Sequence, residues 1–203
     1  SLNDNGSSYN TFTFTVNDGT TDSASSYTMT IDVAAVNDAP VADNETNTAT
    51  EGTNLNASNG GSDDVLIGDT DVENDNLSVT EIRIGSTEGS GTSGSVGSFL
   101  NGTYGKLKIR SNGSYRYVPN DVLGAAETGV DWFNYTVSDG NGGTDTATLK
   151  ITVTGINDAP VAKNDNNTID ITSTSSLTVT DGASKDISGN DTDADSSASL
   201  TIT

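Results

Sequence analysis

Residues 146–156 read TATLKITVTGI, and this stretch decides the fold class. The apolar side chains at 147, 149, 151 and 153 point to one side of an extended chain, and the polar ones between them to the other. Alternation with a period of two is typical of a β-strand with one buried face. TFTFTV at 11–16 has the same pattern, and no convincing 3.6-residue stripe occurs. The sequence therefore predicts an all-β protein of half-buried antiparallel strands.

The chain also repeats itself. VNDAPVA at 36–42 returns as INDAPVA at 156–162, FTFTVNDG at 12–19 is matched by FNYTVSDG at 133–140, and GDTDVEND at 68–75 by GNDTDADS at 189–196. Self-similarity at a nearly fixed lag indicates a repeat protein. We therefore predict a complete repeat over residues 40–159, the C-terminal part of a preceding repeat over 1–39, and the N-terminal part of a following repeat over 160–203.

The two partial copies are too short to bury a core easily by themselves. We expect them either to belong to a longer array or to be completed by other copies of the chain, arranged head to tail with exchange of strands. The second alternative predicts a self-assembling filament subunit.

The complete copy contains about seven strands at short spacing, which favours an immunoglobulin-like β-sandwich. In LKIRSNGSYRYV at 107–118, a two-residue loop would place Ile109 opposite Arg116. A three-residue loop with Gly113 in a left-handed bulge places Ile109 opposite Tyr115 instead and collects the apolar residues on one face, so we predict the bulged form. In LSVTEIRI at 77–84 the apolar residues change phase, which predicts a second bulge near residues 80 and 81.

Composition excludes several function classes. Acidic residues outnumber basic ones 29 to 8, giving a net charge of −21, and 23 of the acids are Asp. Nucleic-acid binding is disfavoured because phosphate contacts need a basic face. The chain has no Cys and no His, which excludes disulfides, zinc sites and Ser-His or Cys-His catalysis. No run of 18 apolar residues occurs, so membrane insertion is not expected.

The spacing of acids in two loops suits a divalent cation. DTDVEND places Asp69 and Asp71 at alternate positions, and DTDAD does the same with Asp191 and Asp193. Ca²⁺ takes six to eight oxygen ligands, and alternate loop residues can direct several oxygens at one centre. An EF-hand is excluded because the glycine at its sixth position and the glutamate at its twelfth are missing. The alternative is solvated turn chemistry, which is equally open for Asp139 before its glycine.

GTYGKLKIRSNGSYRYVPND at 102–121, followed by DWFNYTVSDGNGGTDTATLKITVTGINDAP at 131–160, resembles the VCBS repeats. These are cadherin-like domains strung in tandem in large bacterial surface adhesins, often of the RTX type. The resemblance implies a non-catalytic spacer in an extracellular stalk or filament at the bacterial cell surface, which projects a binding tip and supports cell adhesion or biofilm formation. Its partners would be the neighbouring repeats of the same chain, held rigid by Ca²⁺ at the junctions.

By this resemblance, the calcium ligands would come from the linkers, an acid at the base of one domain, and loops of the next domain. The matching positions are Asn37, Asp38, Asp69, Asp71 and Asp139 at the first junction, and Glu51, Asn157, Asp158, Asp191 and Asp193 at the second. The linkers have alanine or glycine where the cadherin linker has its first Asp, and alanine where it has Asn after the Asn-Asp pair. Fewer ions per junction than the three of an animal cadherin are therefore expected.

Two other features could bind a ligand such as an extracellular glycan. Trp132 alternates away from the apolar residues that follow it, so it is either an exposed sugar-stacking platform or buried at the sandwich edge. A basic patch is also expected on the solvent face of the predicted hairpin, from Lys106, Lys108, Arg110 and Arg116, and the alternative for them is an ordinary solvated face. No carboxylate pair with a glycosidase-like setting is indicated, and an enzyme is not expected.

Overall fold

The computed structural model describes residues 6–163 and 191–193. The strands are β1 (Gly6–Phe14), β2 (Tyr27–Val33), β3 (Glu45–Thr50), β4 (Leu55–Ala57), β5 (Ser78–Ile84), β6 (Ser93–Gly94), β7 (Leu100–Asn101), β8 (Gly105–Ile109), β9 (Tyr115–Pro119), β10 (Thr128–Ser138) and β11 (Thr144–Thr154). No helix occurs over these residues, so the all-β prediction is confirmed. Most of the segment 160–203 lies outside the described residues, and its assignment to a following repeat stays a prediction.

Strands β3 to β11 form a β-sandwich of two sheets. One sheet has five strands in the order β3-β11-β10-β5-β6, and the other has four in the order β4-β9-β8-β7. Seven of these nine strands have three or more residues, in agreement with the predicted number, and β6 and β7 have two each. The fold is that of a cadherin-like β-sandwich.

The core lies between the two sheets and follows the alternation in the sequence. In β10, Phe133, Tyr135 and Val137 are buried between the sheets. Trp132, which precedes them, is on the opposite, outer face of the strand. Phe133 pairs with Leu149 of β11 across the sheet. The buried apolar residues are Ala49, Ala57, Val65, Val79, Ile82, Leu107, Ile109, Tyr115, Tyr117, Leu123, Phe133, Tyr135, Val137, Ala147, Leu149, Ile151 and Val153.

Both predicted bulges are confirmed. In the β8–β9 hairpin, Ile109 pairs with Tyr115, and Gly113 has φ +83° in the turn, as a left-handed bulge requires. In the β5–β10 pair, the register shifts so that Thr80 is skipped and the residues on either side pair with adjacent positions of β10. The extra residue returns Val79 and Ile82 to the same buried face.

One pairing differs from the antiparallel prediction. β3 pairs with β11 in parallel over six residues, from Glu45 opposite Leu149 to Thr50 opposite Thr154. Alternation records only which face of a strand is buried, and carries no information about the direction of the neighbouring strand. The sequence could therefore predict that β3 is a strand but not how it pairs.

The β1–β2 hairpin has the same register as the β10–β11 hairpin. Phe12 lies opposite Met29 and Phe14 opposite Tyr27, which matches the pairs at 133 and 149 and at 135 and 147. The apolar residues of β1 and β2 are nevertheless exposed, with Phe12 at 50% and Met29 at 51% of their full accessibility. The face that is buried in the sandwich is therefore uncovered in this hairpin.

Candidate metal sites at the two ends of the sandwich

The predicted ligands lie at opposite ends of β3 and β11. Because these strands run parallel, both start near the first linker and both end near the second. At 3.4 Å per residue, the eleven residues of β11 place the two ends about 34 Å apart. We refer to the end that contains Asp69 as the first end and to the end that contains Glu51 as the second end.

At the first end, the linker is bound to the turn between β10 and β11. The Asn37 side-chain amide donates to Asp139 Oδ2 at 2.7 Å, and the Asp38 backbone amide donates to Glu73 Oε2 at 3.4 Å. Both Asp139 oxygens also accept the Gly143 amide at 3.0 Å, which closes the turn. The structure thus brings Asn37 and Asp38 close to the Asp139 turn. Among the described residues, however, the carboxylates of Asp38, Asp69, Asp71 and Asp139 do not form a group of three with ligand atoms within 4.8 Å of one another, so their joint role in one site stays a prediction.

Asp69 and Asp71 line a common pocket at this end. Asp69 Oδ1 accepts the Asp43 amide at 2.8 Å, and Asp71 Oδ1 accepts the amides of Glu73 and Asp75 at 2.9 and 3.1 Å. The other oxygen of each carboxylate, Oδ2, is buried without a hydrogen-bond partner. A buried carboxylate oxygen without a partner is energetically unfavourable, and a cation bound at these two atoms would supply the missing partner.

At the first end, the pKa values of the Asp69 and Asp139 carboxyls are shifted in opposite directions. Burial raises the pKa of the Asp69 carboxyl to about 6 despite the hydrogen bond from the Asp43 amide, and the Asp43 and Asp145 charges add to the rise. For Asp139, the hydrogen bond from Asn37 is the main cause that holds the pKa below its usual value. The charged form of Asp139 is therefore stabilised by protein donors, whereas at Asp69 the effect of burial exceeds that of its one donor.

At the second end, three carboxylates converge. Ligand atoms of Glu51, Asp121 and Asp158 all lie within 4.8 Å of one another. Glu51 is 1% exposed, and its Oε1 accepts the backbone amides of Val122 and Leu123 at 2.9 Å each. Its Oε2 is buried without a hydrogen-bond partner. The side chain is thus fixed through Oε1, while Oε2 has no hydrogen-bond partner.

The second linker repeats the local arrangement of the first. Val161 and Thr192 exchange two backbone hydrogen bonds of 2.7 and 3.1 Å, as Val41 and Thr70 do at 2.8 and 3.0 Å. The Lys163 amide donates to Asp191 Oδ1 at 2.7 Å, which corresponds to the bond from Asp43 to Asp69. Asn157 donates to the Asp158 carbonyl at 2.8 Å. Within the described residues, Asp191 and Asp193 are not part of the three-carboxylate cluster.

The donor set fits Ca²⁺. All candidate ligand atoms are oxygens of carboxylates or amides, the ligands of hard cations, and the buried unpartnered oxygens of Asp69, Asp71 and Glu51 would each gain a positive partner. Mg²⁺ requires a near-ideal octahedron and keeps several waters, so a set of many protein oxygens fits it less well. A bound Ca²⁺ would supply positive charge and a common centre for the oxygen ligands.

Asp121 was missed by the sequence analysis. It follows β9 by two residues in a loop, and 70 residues separate it from Glu51. Only the closing of the sandwich brings the two together, through the amides of Val122 and Leu123 that bind Glu51. The sequence has no local signal for this ligand beyond an acid after Pro119-Asn120.

The other predicted ligand-binding residues fall into two separate places. Trp132 lies on the outer face of the five-stranded sheet, 36% exposed, with the Lys150 ammonium 5.5 Å from the centre of its ring. Lys108 and Arg116 lie opposite each other on the four-stranded sheet, and Arg110 is exposed at the end of that hairpin. Because the two sheets form opposite layers, Trp132 and the basic hairpin do not form one site.

Comparison with known proteins gives the family. The profile of the bacterial cadherin-like domain matches residues 37–155, more than half of the chain and nearly the whole sandwich with its first linker. The chain belongs to the bacterial cadherin-like domain family. Cadherin-like domains generally bind calcium, and membership is consistent with an adhesin-type extracellular module of a bacterial surface protein.

The remaining comparisons add little. No curated protein matches the chain. A nucleoside hydrolase-related hypothetical protein from Saccharophagus degradans, associated with carbohydrate metabolism, is 15% identical over 60% of this chain and 26% of its own, with a TM-score of 0.35. The endo-fucoidan hydrolase MfFcnA4 from glycoside hydrolase family 107 is 17% identical over 72% and 19%, with a TM-score of 0.34. A protein from Bacteroides thetaiotaomicron is 14% identical over 55% and 76%, with a TM-score of 0.26. The chain thus spans about a quarter or less of the first two structures.

The described part of the chain contains no helix of the length and apolarity needed to cross a membrane.

Proposed function

We propose that the chain is a non-catalytic, calcium-rigidified spacer of a bacterial cell-surface adhesin, in which successive cadherin-like repeats form a stalk that projects a binding tip for adhesion or biofilm formation. The observation that carries the proposal is the position of the buried carboxylate oxygens without hydrogen-bond partners. Those of Asp69 and Asp71 lie at one end of the sandwich and that of Glu51 at the other.

Charge explains why an ion at each end would make the stalk rigid. Glu51, Asp121 and Asp158 come from the end of β3, the loop after β9 and the second linker, so their mutual repulsion favours separation of the linker from the domain. A divalent ion bound to the same three side chains converts this repulsion into a cross-link. At the first end, Asn37 and Asp38 already contact the loops that contain Asp139 and Glu73, so an ion there would fix a linker already docked.

The test is a Ca²⁺ titration of the whole 203-residue chain, followed by small-angle X-ray scattering and thermal unfolding. We expect Ca²⁺ to raise the melting temperature and to extend the chain and reduce its flexibility, and chelator to reverse both effects. The double variant Asp69→Asn with Asp71→Asn should lose part of the response, whereas Asp63→Asn, an exposed acid of the neighbouring loop, should keep it. Scattering and melting that are the same in chelator and in millimolar Ca²⁺ would contradict the proposal.

We also propose, as a second function, that copies of the chain assemble head to tail. The supporting observation is the exposed apolar face of β1–β2, whose register equals that of β10–β11. In the sandwich, that pair is flanked by β3 and β5. By the sequence repeat, residues 160–203 of a second copy contain the segments that correspond to β3 and β4 and only the beginning of the segment that corresponds to β5, and they are the proposed occupant.

Light scattering over a range of concentrations tests this assembly. We expect oligomers that grow with concentration, and we expect Met29→Asp, on the apolar face, to weaken them. Thr28→Asp introduces the same charge one residue away on the opposite face of the strand and is the matched control. A monomer at every concentration would rule the assembly out.

A further inference from the structure

Charge is unevenly distributed along this acidic chain. Residues 89–120 contain no Asp and no Glu, but they contain four of the eight basic residues, Lys106, Lys108, Arg110 and Arg116. The segment covers β6 to β9, and β4 lies in a second acid-free stretch, 52–62. The four-stranded sheet is therefore free of acidic residues, whereas the rest of the chain has 29 acids and four basic residues.

The register of this sheet places the basic side chains on its outer face. Gly105, Leu107 and Ile109 are buried, so Lys106 and Lys108, which alternate with them, point outward. Lys108 lies directly opposite Arg116. Like charges directly opposite each other destabilise a sheet, and this sequence places them there without a compensating acid. Within the described residues, none of these three side chains forms an ion pair with a carboxylate.

Lys106 and Lys108 both contact the same aromatic ring, that of Phe99. The ammonium groups of Lys106 and Lys108 lie 5.2 and 6.0 Å from the centre of the Phe99 ring. Phe99 is 44% exposed, immediately before β7. A cation over a ring is attracted to the aromatic face, so the ring limits the freedom of both side chains before any ligand binds. Binding then requires less ordering of these side chains.

We propose that the outer face of the four-stranded sheet, formed by Phe99, Lys106, Lys108 and Arg116, binds an anionic polysaccharide with sulfate or carboxylate groups. The cations would contact the anionic groups, with Arg116 able to bind one of them through two donors, and the exposed part of the Phe99 ring would contact the sugar. Trp132 is not part of this surface, since it lies on the other sheet. The inference does not depend on the proposed calcium sites.

A saccharide fits this face better than a nucleic acid. Single-stranded nucleic acids bind by stacking successive bases on several aromatic rings, and Phe99 is the aromatic residue that contacts these cations. The excess of acids over the remainder of the molecule also repels a densely charged polymer. A saccharide with more widely spaced charges is repelled less.

The test uses the full chain and four probes in titration calorimetry: sulfated dextran oligosaccharide, polygalacturonate, unsulfated dextran and polyadenylate. We expect binding of at least one of the two anionic saccharides, at the hairpin, with no binding of unsulfated dextran. The double variant Lys108→Gln with Arg116→Gln should weaken binding by about tenfold or more, as expected for the loss of two charged contacts. Phe99→Ala should weaken it by a few fold.

The matched control is Lys150→Gln with Lys163→Gln, which changes the net charge equally but lies away from this face, and it should change the affinity by less than about twofold. Amide chemical-shift changes of the wild-type chain on addition of the probe locate the site independently of any variant. The proposal is overturned if neither anionic saccharide binds, if polyadenylate binds more tightly, if both double variants lose affinity equally, or if the shift changes lie elsewhere. Binding that only Ca²⁺ bridging supports would leave the hairpin variant at wild-type affinity and would also overturn it.

Discussion

Replacing Glu51 by Gln should separate calcium binding from folding. The Glu51 side chain is fixed by two backbone amides at 2.9 Å on Oε1, while Oε2 is buried without a hydrogen-bond partner. The Glu51 carboxylate also has an oxygen within 4.8 Å of ligand atoms of Asp121 and Asp158. Gln has nearly the same shape and keeps an oxygen for the two amides. Its NH₂ group takes the place of Oε2 and can donate to the neighbouring carboxylates. The substitution therefore removes a calcium ligand without breaking the contacts that hold the loop.

The magnitudes follow from the contacts. At a Ca²⁺ concentration one hundred times the dissociation constant, a site adds about 2.7 kcal/mol to the free energy of unfolding, or roughly 10 °C in melting temperature for a domain of this size. Glu51→Gln should lose that increment at the second end. In chelator, where it only removes charge repulsion, it should be up to about 1 kcal/mol more stable than the wild type. Glu51→Ala loses both charged hydrogen bonds and should be at least about 3 kcal/mol less stable in either solution.

Thermal and denaturant unfolding in chelator and in saturating Ca²⁺ measure all three proteins. The expected signature is a change of sign: Glu51→Gln is no less stable than the wild type in chelator and less stable in Ca²⁺. If Glu51→Gln keeps the full calcium increment, Oε2 is not a ligand. If it is as destabilised in chelator as Glu51→Ala, the side chain has a structural role that depends on its charge.

Three further substitutions test other parts of the structure. Gly143→Ala adds a methyl group against the Asp139 carboxylate and 2.7 Å from the linker backbone. We therefore expect the free energy of unfolding to fall by about 1–3 kcal/mol and the linker to be more flexible in solution scattering. Asp71→Asn replaces the buried unpaired oxygen at the first end, so part of the calcium-dependent rise in melting temperature should disappear, with less than about 1 kcal/mol change in chelator. Burial raises the pKa of Tyr115 to about 12, above the value near 10 of the unfolded chain. The folded state therefore favours the neutral phenol, and this contribution to the free energy of unfolding is complete below about pH 10 and is lost as the pH rises towards 12. In denaturant titrations, Tyr115→Phe, which also loses the hydrogen bond from Asn47, should lose less stability than the wild type between pH 10 and 12.

Local patterns were sufficient to predict the β8–β9 hairpin. The turn glycine and the alternation of apolar residues specify a single register in which Ile109 meets Tyr115, and the structure has that register. The bulge at Thr80 was predictable for the same reason, since only an extra residue returns the apolar residues to one face. In both cases the deciding information lies within about ten residues of sequence.

The second end could not be derived in the same way. Glu51 and Asp121 meet because β3 ends where the loop after β9 passes, and this depends on the parallel pairing of β3 with β11. The alternation of apolar residues contains no information about that direction. The family resemblance supplied Glu51 and Asp158, but no pattern in the sequence supplied Asp121.

The alternation in β10 also predicts a buried acid, Asp131. Asp131 has the same parity as Phe133 and therefore faces the interior, where it is 3% exposed. It accepts the amides of Thr103 and Tyr104 and the Tyr117 hydroxyl, the last at 2.7 Å. Burial, followed by this bond to Asp131, raises the pKa of Tyr117. An acid at a core position of a strand predicts such a set of donors, because a buried carboxylate must be hydrogen-bonded.

The parallel pairing of β3 and β11 also determines how the domain responds to tension. The first linker enters β3 and the second leaves β11, and the two strands run side by side over six paired residues. A pull on the two linkers in opposite directions therefore slides one strand along the other, and all the hydrogen bonds between them are loaded at the same time. In an antiparallel arrangement of the terminal strands, with both linkers at one end, the same pull would peel the bonds apart singly. The parallel arrangement is the stronger one for a domain held in series and stretched from its ends.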